Sequence, residues 1–145
     1  MRNYLKSILL LIAVSPIVFS GCKKEHSLPI TIVQISTAFD EENGYTETGT
    51  FTTSGCIRTS GTFVMDVIFV ADSFYCTNKL IAPEGTITTN MKCSATTMTG
   101  SWEILSGTGR YNRLNGGGTL VMQFPPDVPP GSIGVETLSG LVYFD

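Results

Sequence analysis

The chain has one histidine, His26, and it lies in a polar stretch from Lys23 to Pro29, ahead of anything that reads as folded. A Ser-His-Asp or Cys-His set therefore cannot be built in the folded part, and the commonest general base is missing there. Acid–base work would fall to carboxylates. Asp66 interrupts the apolar run from Phe63 to Val70, and Glu103 stands between Trp102 and Ile104. Facing into a closed fold, either would have its pKa raised by burial and could serve as an acid. Strand alternation puts each opposite to its apolar neighbours, which favours a plain solvated position. A cyclase or isomerase would also need a tyrosine, Tyr75, Tyr111 or Tyr143, around a pocket. Asp66, Glu103 and Tyr111 are thus the candidate ligand-facing residues. The acidic run Asp40-Glu41-Glu42-Asn43 lacks the regular oxygen spacing of a calcium loop and reads as a solvated turn. No close Cys/His spacing suggests zinc, and no cofactor is expected.

The first 21 residues are of another kind. Arg2 and Lys6 form a positive segment, and an apolar stretch from Ile8 to Phe19 follows, interrupted by Ser15 and Pro16. That is the layout of a secretory signal, and it is shorter than the ~20 residues needed to span a bilayer. Phe19-Ser20-Gly21-Cys22 resembles the lipobox of bacterial lipoproteins, in which small residues precede a cysteine. The resemblance implies cleavage before Cys22 and lipidation of its thiol and new amine. At ~0.8 kcal/mol per buried CH₂, several acyl chains anchor a protein where one does not. Residues 22–29 then form a polar tether and 30–145 the folded domain. Lys23 stands where an aspartate would resemble an inner-membrane retention signal, which implies the outer membrane.

Three cysteines remain for an oxidising compartment, Cys56, Cys76 and Cys93. One pair and one leftover is the natural arithmetic. A two-residue hairpin turn at Glu84-Gly85 would set Cys76 opposite Cys93, close enough for a disulfide. A three-residue turn at Pro83-Glu84-Gly85 would shift the register by one and put them on opposite faces. The first arrangement is favoured, and Cys56 is then the leftover.

The folded part is poor in charge and rich in Thr, Ser and Gly; only 14% of the chain is Asp, Glu, Lys or Arg, against ~25% in ordinary soluble domains. The leader takes two of the nine basic residues and none of the twelve acids, so the mature part carries −5. That charge, with no basic cluster, argues against nucleic acid. Short β-branched and aromatic runs split by Gly and Pro predict eight strands, at about 30–39, 45–53, 62–71, 74–82, 86–95, 100–106, 117–124 and 134–144. Asn43-Gly44 and Pro83-Glu84-Gly85 are turn signals between them. Short connections predict an all-β antiparallel meander. About eight such strands can close into a small barrel, with a β-sandwich as the rival. The segment Pro125-Pro126-Asp127-Val128-Pro129-Pro130 reads as a stiff connection between the last two strands.

Trp102, Ile104, Gly107-Thr108-Gly109, Tyr111, Leu114, Gly116 and Gly118 make a pattern that resembles small secreted bacterial β-proteins related to the allene oxide cyclase and dirigent barrels. It covers about a sixth of the mature chain and implies a barrel. No functional residue of that superfamily is matched, so no activity carries over. The glycines are not a phosphate cradle, since no Lys-Ser/Thr follows and no helix context exists. Physically, residues 110–114 can make one helical turn that sets Tyr111 and Leu114 on the same side, as a plug for one barrel end.

Two functional classes lead. One is a membrane-anchored binding barrel holding a small apolar ligand. The other is an interaction lipoprotein with a packed core, which self-associates or meets an envelope protein through the strand at 62–71, apolar on both faces. An enzyme of cyclase or isomerase type is third.

Overall fold

A computed structural model describes residues 26–42 and 45–145; the leader, Cys22 and the Asn43-Gly44 turn lie outside the described residues. The fold is all-β. Eight antiparallel strands run in chain order around a closed barrel: β1 (Leu28–Asp40), β2 (Thr46–Gly55), β3 (Ser60–Val70), β4 (Ser73–Ala82), β5 (Gly85–Ser94), β6 (Thr99–Gly107), β7 (Leu114–Gln123) and β8 (Gly134–Phe144). Closure comes from β1 pairing with β8, from Leu28 opposite Val142 to Ser36 opposite Gly134. No strand edge is left open, which removes the usual template for aggregation.

Period-two alternation decides what fills the lumen. Ile30 and Ile32 on β1, Phe63 and Met65 on β3, Ile87 and Met91 on β5, and Leu138 and Val142 on β8 are all buried. The intervening residues face out. A barrel this narrow has room for large side chains only where the facing strand gives way. Trp102 shows how. Its indole Nε1–H donates to the Ser139 carbonyl at 3.2 Å, so the ring reaches from β6 to β8 across β7. The β7 residue in register with Trp102 is Gly118, and Gly118 in turn faces Gly140. A Cβ on Gly118 would sit 2.0 Å from the Ser139 oxygen and 2.6 Å from the Gly140 Cα. Phe51 likewise faces Gly61, and Phe63 faces Gly49.

One end is sealed. A single 3₁₀ turn at Gly109–Tyr111 follows β6, and Tyr111 and Leu114 are both buried beneath it. The Tyr111 hydroxyl donates to Glu84 Oε2 at 2.9 Å, and Arg110 meets the other oxygen of the same carboxylate at 3.3 Å. Tyr111 thus ties the β6–β7 connection to the β4–β5 turn. The proline-rich connection joins β7 to β8 at the opposite end, and Ile133 N–H closes it onto the Ser36 carbonyl at 2.8 Å.

The Cys76–Cys93 disulfide is corrected. Ala82 pairs with Gly85, so the turn residues are Pro83 and Glu84, one position earlier than the favoured turn. Proline supplies the fixed φ of the first turn position, and Gly85 follows at φ +148°. The register becomes Cys76 opposite Met91 and Phe74 opposite Cys93. Both cysteines face the lumen as buried free thiols. They are diagonal neighbours, whose Cα atoms typically lie ~7–8 Å apart, beyond the reach of a disulfide.

Replacing Gly118 should test the lumen's packing rule. Gly118→Val should destabilise the protein by about 2–3 kcal/mol or more, through overpacking against β8 and Trp102. Thr119→Val, one residue on and facing out, should fall within about 0.5 kcal/mol of the parent. Urea midpoints at constant slope would give both values, and equal effects would contradict the rule.

Candidate functional site

The lumen is not wholly apolar. Gln34, Ser36, Glu47, Asn78, Thr89 and Glu136 are buried polar residues, and Glu47 is the most exposed of them at 7%. Each is inward by phase. Gln34 and Ser36 continue the Ile30, Ile32 face of β1, and Glu47 continues the Phe51 face of β2. Asn78 lies between Cys76 and Leu80, Thr89 between Ile87 and Met91, and Glu136 shares a face with Leu138. Gln34 and Glu136 are register partners across the closing β1–β8 pair. The cluster therefore fills the half of the lumen away from Tyr111.

Glu136 anchors it. Ser36 Oγ lies 3.2 and 3.3 Å from the two carboxyl oxygens and donates to them. Burial pushes the Glu136 carboxyl up to about 8, and the nearby Glu47 charge pushes the same way; Ser36 and a backbone hydrogen bond oppose this without cancelling it. Burial also raises Glu47, again against a hydrogen bond from Ser36. The two carboxyls thus flank one hydroxyl, and among the described residues neither has a basic partner. Burial lifts the Cys76 thiol to about 12, helped by Glu47, Glu136 and Cys93, and burial raises Cys93 as well. Both thiols stay neutral and unreactive at physiological pH.

Next to the carboxyls lie incomplete hydrogen bonds. Asn78 Nδ2 donates to Gln34 Oε1 at 3.0 Å. Gln34 Nε2, Asn78 Oδ1 and Thr89 Oγ1 have no protein partner. A buried polar atom left unmatched costs about 1–3 kcal/mol, so each of the three calls for a partner beyond the protein's own side chains: a buried water or a ligand group.

The mouth above it is apolar. Phe39, Val67, Phe69, Phe74, Met122, Phe124 and Ile133 line a cavity of about 430 Å³, with Glu47 as the charged group in its wall. Phe39, Tyr45, Phe69 and Phe74 make a chain of ring contacts along the rim, with centroids 4.9–5.8 Å apart. The volume lies within the ~300–1,000 Å³ usual for small-molecule sites.

The residues singled out in the sequence lie elsewhere. Asp66 and Glu103 face outward, exposed, and line an external groove of about 910 Å³ with Tyr75, Asn90 and Lys92, larger than the mouth but on the outside of the barrel. Asp66 accepts a hydrogen bond from Thr46 Oγ1 at 3.2 Å, and the Lys92 ammonium sits 5.3 Å from the Tyr75 ring centre. Tyr111 is inside but turns its hydroxyl to Glu84, at the sealed end. His26 is exposed. Glu47 and Glu136 were not apparent as candidates, although their phase within β2 and β8 marks them as inward. No known protein-family pattern matches the chain, and no curated protein does.

The buried acid makes stability pH-dependent. An unfolded Glu136 ionises near its ordinary 4.5, whereas the folded carboxyl holds its proton to about 8. Between these values the native state carries more protons, so stability falls as pH rises through that window and levels off above it. The loss is on the order of a few kcal/mol. Glu136→Gln keeps an acceptor for Ser36 and removes the titration. Its stability relative to the parent should be similar at pH 4.5 and clearly greater at pH 8, with a residual slope from Glu47. A difference independent of pH in urea unfolding would contradict the assignment.

Proposed function

We propose that the chain is a lipid-anchored cell-envelope protein whose barrel binds a small, largely apolar ligand through one open mouth. The observation that carries the reading is the mouth itself: an aromatic-rimmed cavity of about 430 Å³ with Glu47 in its wall, in the same half of the lumen as buried polar groups that the protein's own side chains leave unmatched. A packed interaction module would need neither. The Trp102-to-Gly118 resemblance to allene oxide cyclase and dirigent barrels supports a barrel as the frame, without lending it a reaction.

The anchor belongs to the same reading. Phe19-Ser20-Gly21-Cys22 resembles a lipobox, and the tether it leaves would reach the barrel at Leu28, the start of β1. Leu28 pairs with Val142 at the sealed end. The mouth then points away from the lipid surface and takes its ligand from the aqueous side, in the periplasm or at the cell surface of an outer membrane.

Two measurements test this. Cys22→Ser should move the expressed protein from the membrane fraction to the soluble one; unchanged membrane association would remove the anchor. Native mass spectrometry of the full chain, released from detergent after exposure to host lipids and metabolites, should show a retained small mass that is lost on denaturation. A bare chain, or a clean homo-oligomer, would instead favour the interaction lipoprotein. Its contact would be the exposed side chains of β3, where Ile68 is 62% and Val70 54% accessible.

A further inference from the structure

We propose that the barrel's ligand is an organic amine: an apolar body seated in the aromatic mouth, with a protonated amino head delivered to the Glu47–Glu136 pair. This deepens the binding-barrel reading and rests on it.

The chemistry of the lumen selects the head group. Glu47 and Glu136 both approach Ser36 Oγ from neighbouring parts of the lumen, and both are buried. The buried side chains in that half of the lumen are Gln34 and Ser36 on β1, Val67 on β3, Cys76 and Asn78 on β4, Thr89 and Cys93 on β5, and Met122 on β7. None of these can carry a positive charge. The lysines on the same strands, Lys79 and Lys92, are exposed on the outside. The site therefore holds two acids, neutral thiols and amides, and no counter-cation among the described residues. An ammonium is the complement that such a site lacks, since it brings a charge and three donors.

Two of the three unmatched atoms fit the same head group; the third, Gln34 Nε2, is itself a donor and calls for an acceptor, which the ammonium does not supply. Asn78 Oδ1 and Thr89 Oγ1 are fully buried acceptors on the lumen wall with nothing to accept from. An ammonium at the carboxyl pair supplies donors for such atoms. A carboxylate ligand would meet two acids and neutral thiols. A hydrocarbon with no head would leave the polar atoms as unmatched as before. The mouth sets the rest of the ligand. Phe39, Phe69, Phe74 and Phe124 offer apolar faces, and aromatic faces also attract cations on the path inward.

Proton balance follows. At neutral pH Glu136 holds its proton. When an ammonium arrives, that carboxyl ionises against it and the proton leaves to solvent. Glu47 is coupled to the same event. Binding should then release a proton and should strengthen as pH rises from 5 to 8.

The test uses the full chain in non-ionic detergent, with blank micelles subtracted, titrated calorimetrically with n-hexylamine, n-hexanol and hexanoate. At pH 8 hexylamine should bind about tenfold more tightly than hexanol, the factor expected for a charge-assisted hydrogen bond. Its heat should change between buffers of different ionisation enthalpy, which reports the released proton. Glu136→Gln and Glu47→Gln should each weaken hexylamine severalfold and weaken hexanol by a clearly smaller factor, so that the preference for the amine shrinks. Should either variant fail to fold, the pH dependence and proton release of the parent still decide. Hexanol binding as tightly as hexylamine, or hexanoate binding best, overturns the amine while leaving an apolar-ligand barrel standing. No binding by any of the three overturns both.

Discussion

Pairing of β1 with β8 turns a meander into a tube, and most of what is specific to this protein follows from the small bore that results. In an open sheet an inward side chain can lean toward an edge or toward water. In a closed barrel of eight strands the inward side chains share one narrow lumen. Each large residue then needs a facing gap. Trp102 takes the space above Gly118, Phe63 that above Gly49, and Phe51 that above Gly61. The Gly-rich sequence that resists a helical or phosphate-binding reading is in this sense the counterpart of the aromatic residues. It lets them in without spreading the strands.

The same confinement divides the lumen along its axis. Near the 3₁₀ turn the contents are Ile30, Phe51, Leu80, Ile87, Leu114 and Val142, capped by Tyr111. At the other end the inward positions are Ser36, Glu47, Cys93, Met122 and Glu136, and a cavity replaces the cap. Tyr111 is held by Glu84 from a neighbouring turn, so the sealed end is fixed by a hydrogen bond as well as by packing. At the open end the tie is a backbone one, from the Ile133 N–H to the Ser36 carbonyl. The cavity at that end has Glu47 in its wall, and Glu136 in the same half of the lumen is fully buried. Desolvation follows from that burial, and it keeps the carboxyl protonated at neutral pH.

Much of this architecture was legible in the residues. Strand positions came from β-branched runs and their Gly and Pro boundaries, and they agree with the observed strands to within about three residues. The plug formed by Tyr111 and Leu114 was also readable, as a short turn between two glycine-rich strands. What failed was fine register. Pro83 at the first turn position moves the β4–β5 pairing by two, and that separates Cys76 from Cys93. The buried polar cluster was missed for a related reason. Asp66 and Glu103 draw notice because they break apolar strings, but breaking a string is what an outward residue does in a strand. Glu136 draws none, yet it keeps phase with Leu138 and Val142, and Gln34 keeps phase with Ile30 and Ile32. Within a barrel the informative polar residue is the one that stays in step with the apolar ones.

A barrel selected for stability alone would carry Leu or Val at these positions. A buried carboxyl held protonated, an amide pair with one donor and one acceptor unmatched, and an orphaned threonine hydroxyl each lower the stability of the empty protein. They are not scattered. They lie on β1, β4, β5 and β8, yet they share the half of the lumen that has a mouth, and among the described residues the sealed half has none of them. Chance polar substitutions would have no reason to respect that boundary. A site that must recognise a polar head beneath an apolar body would have to, because the head groups need depth and the route to them needs width. The cost in stability is thus placed in the half of the lumen that opens outward.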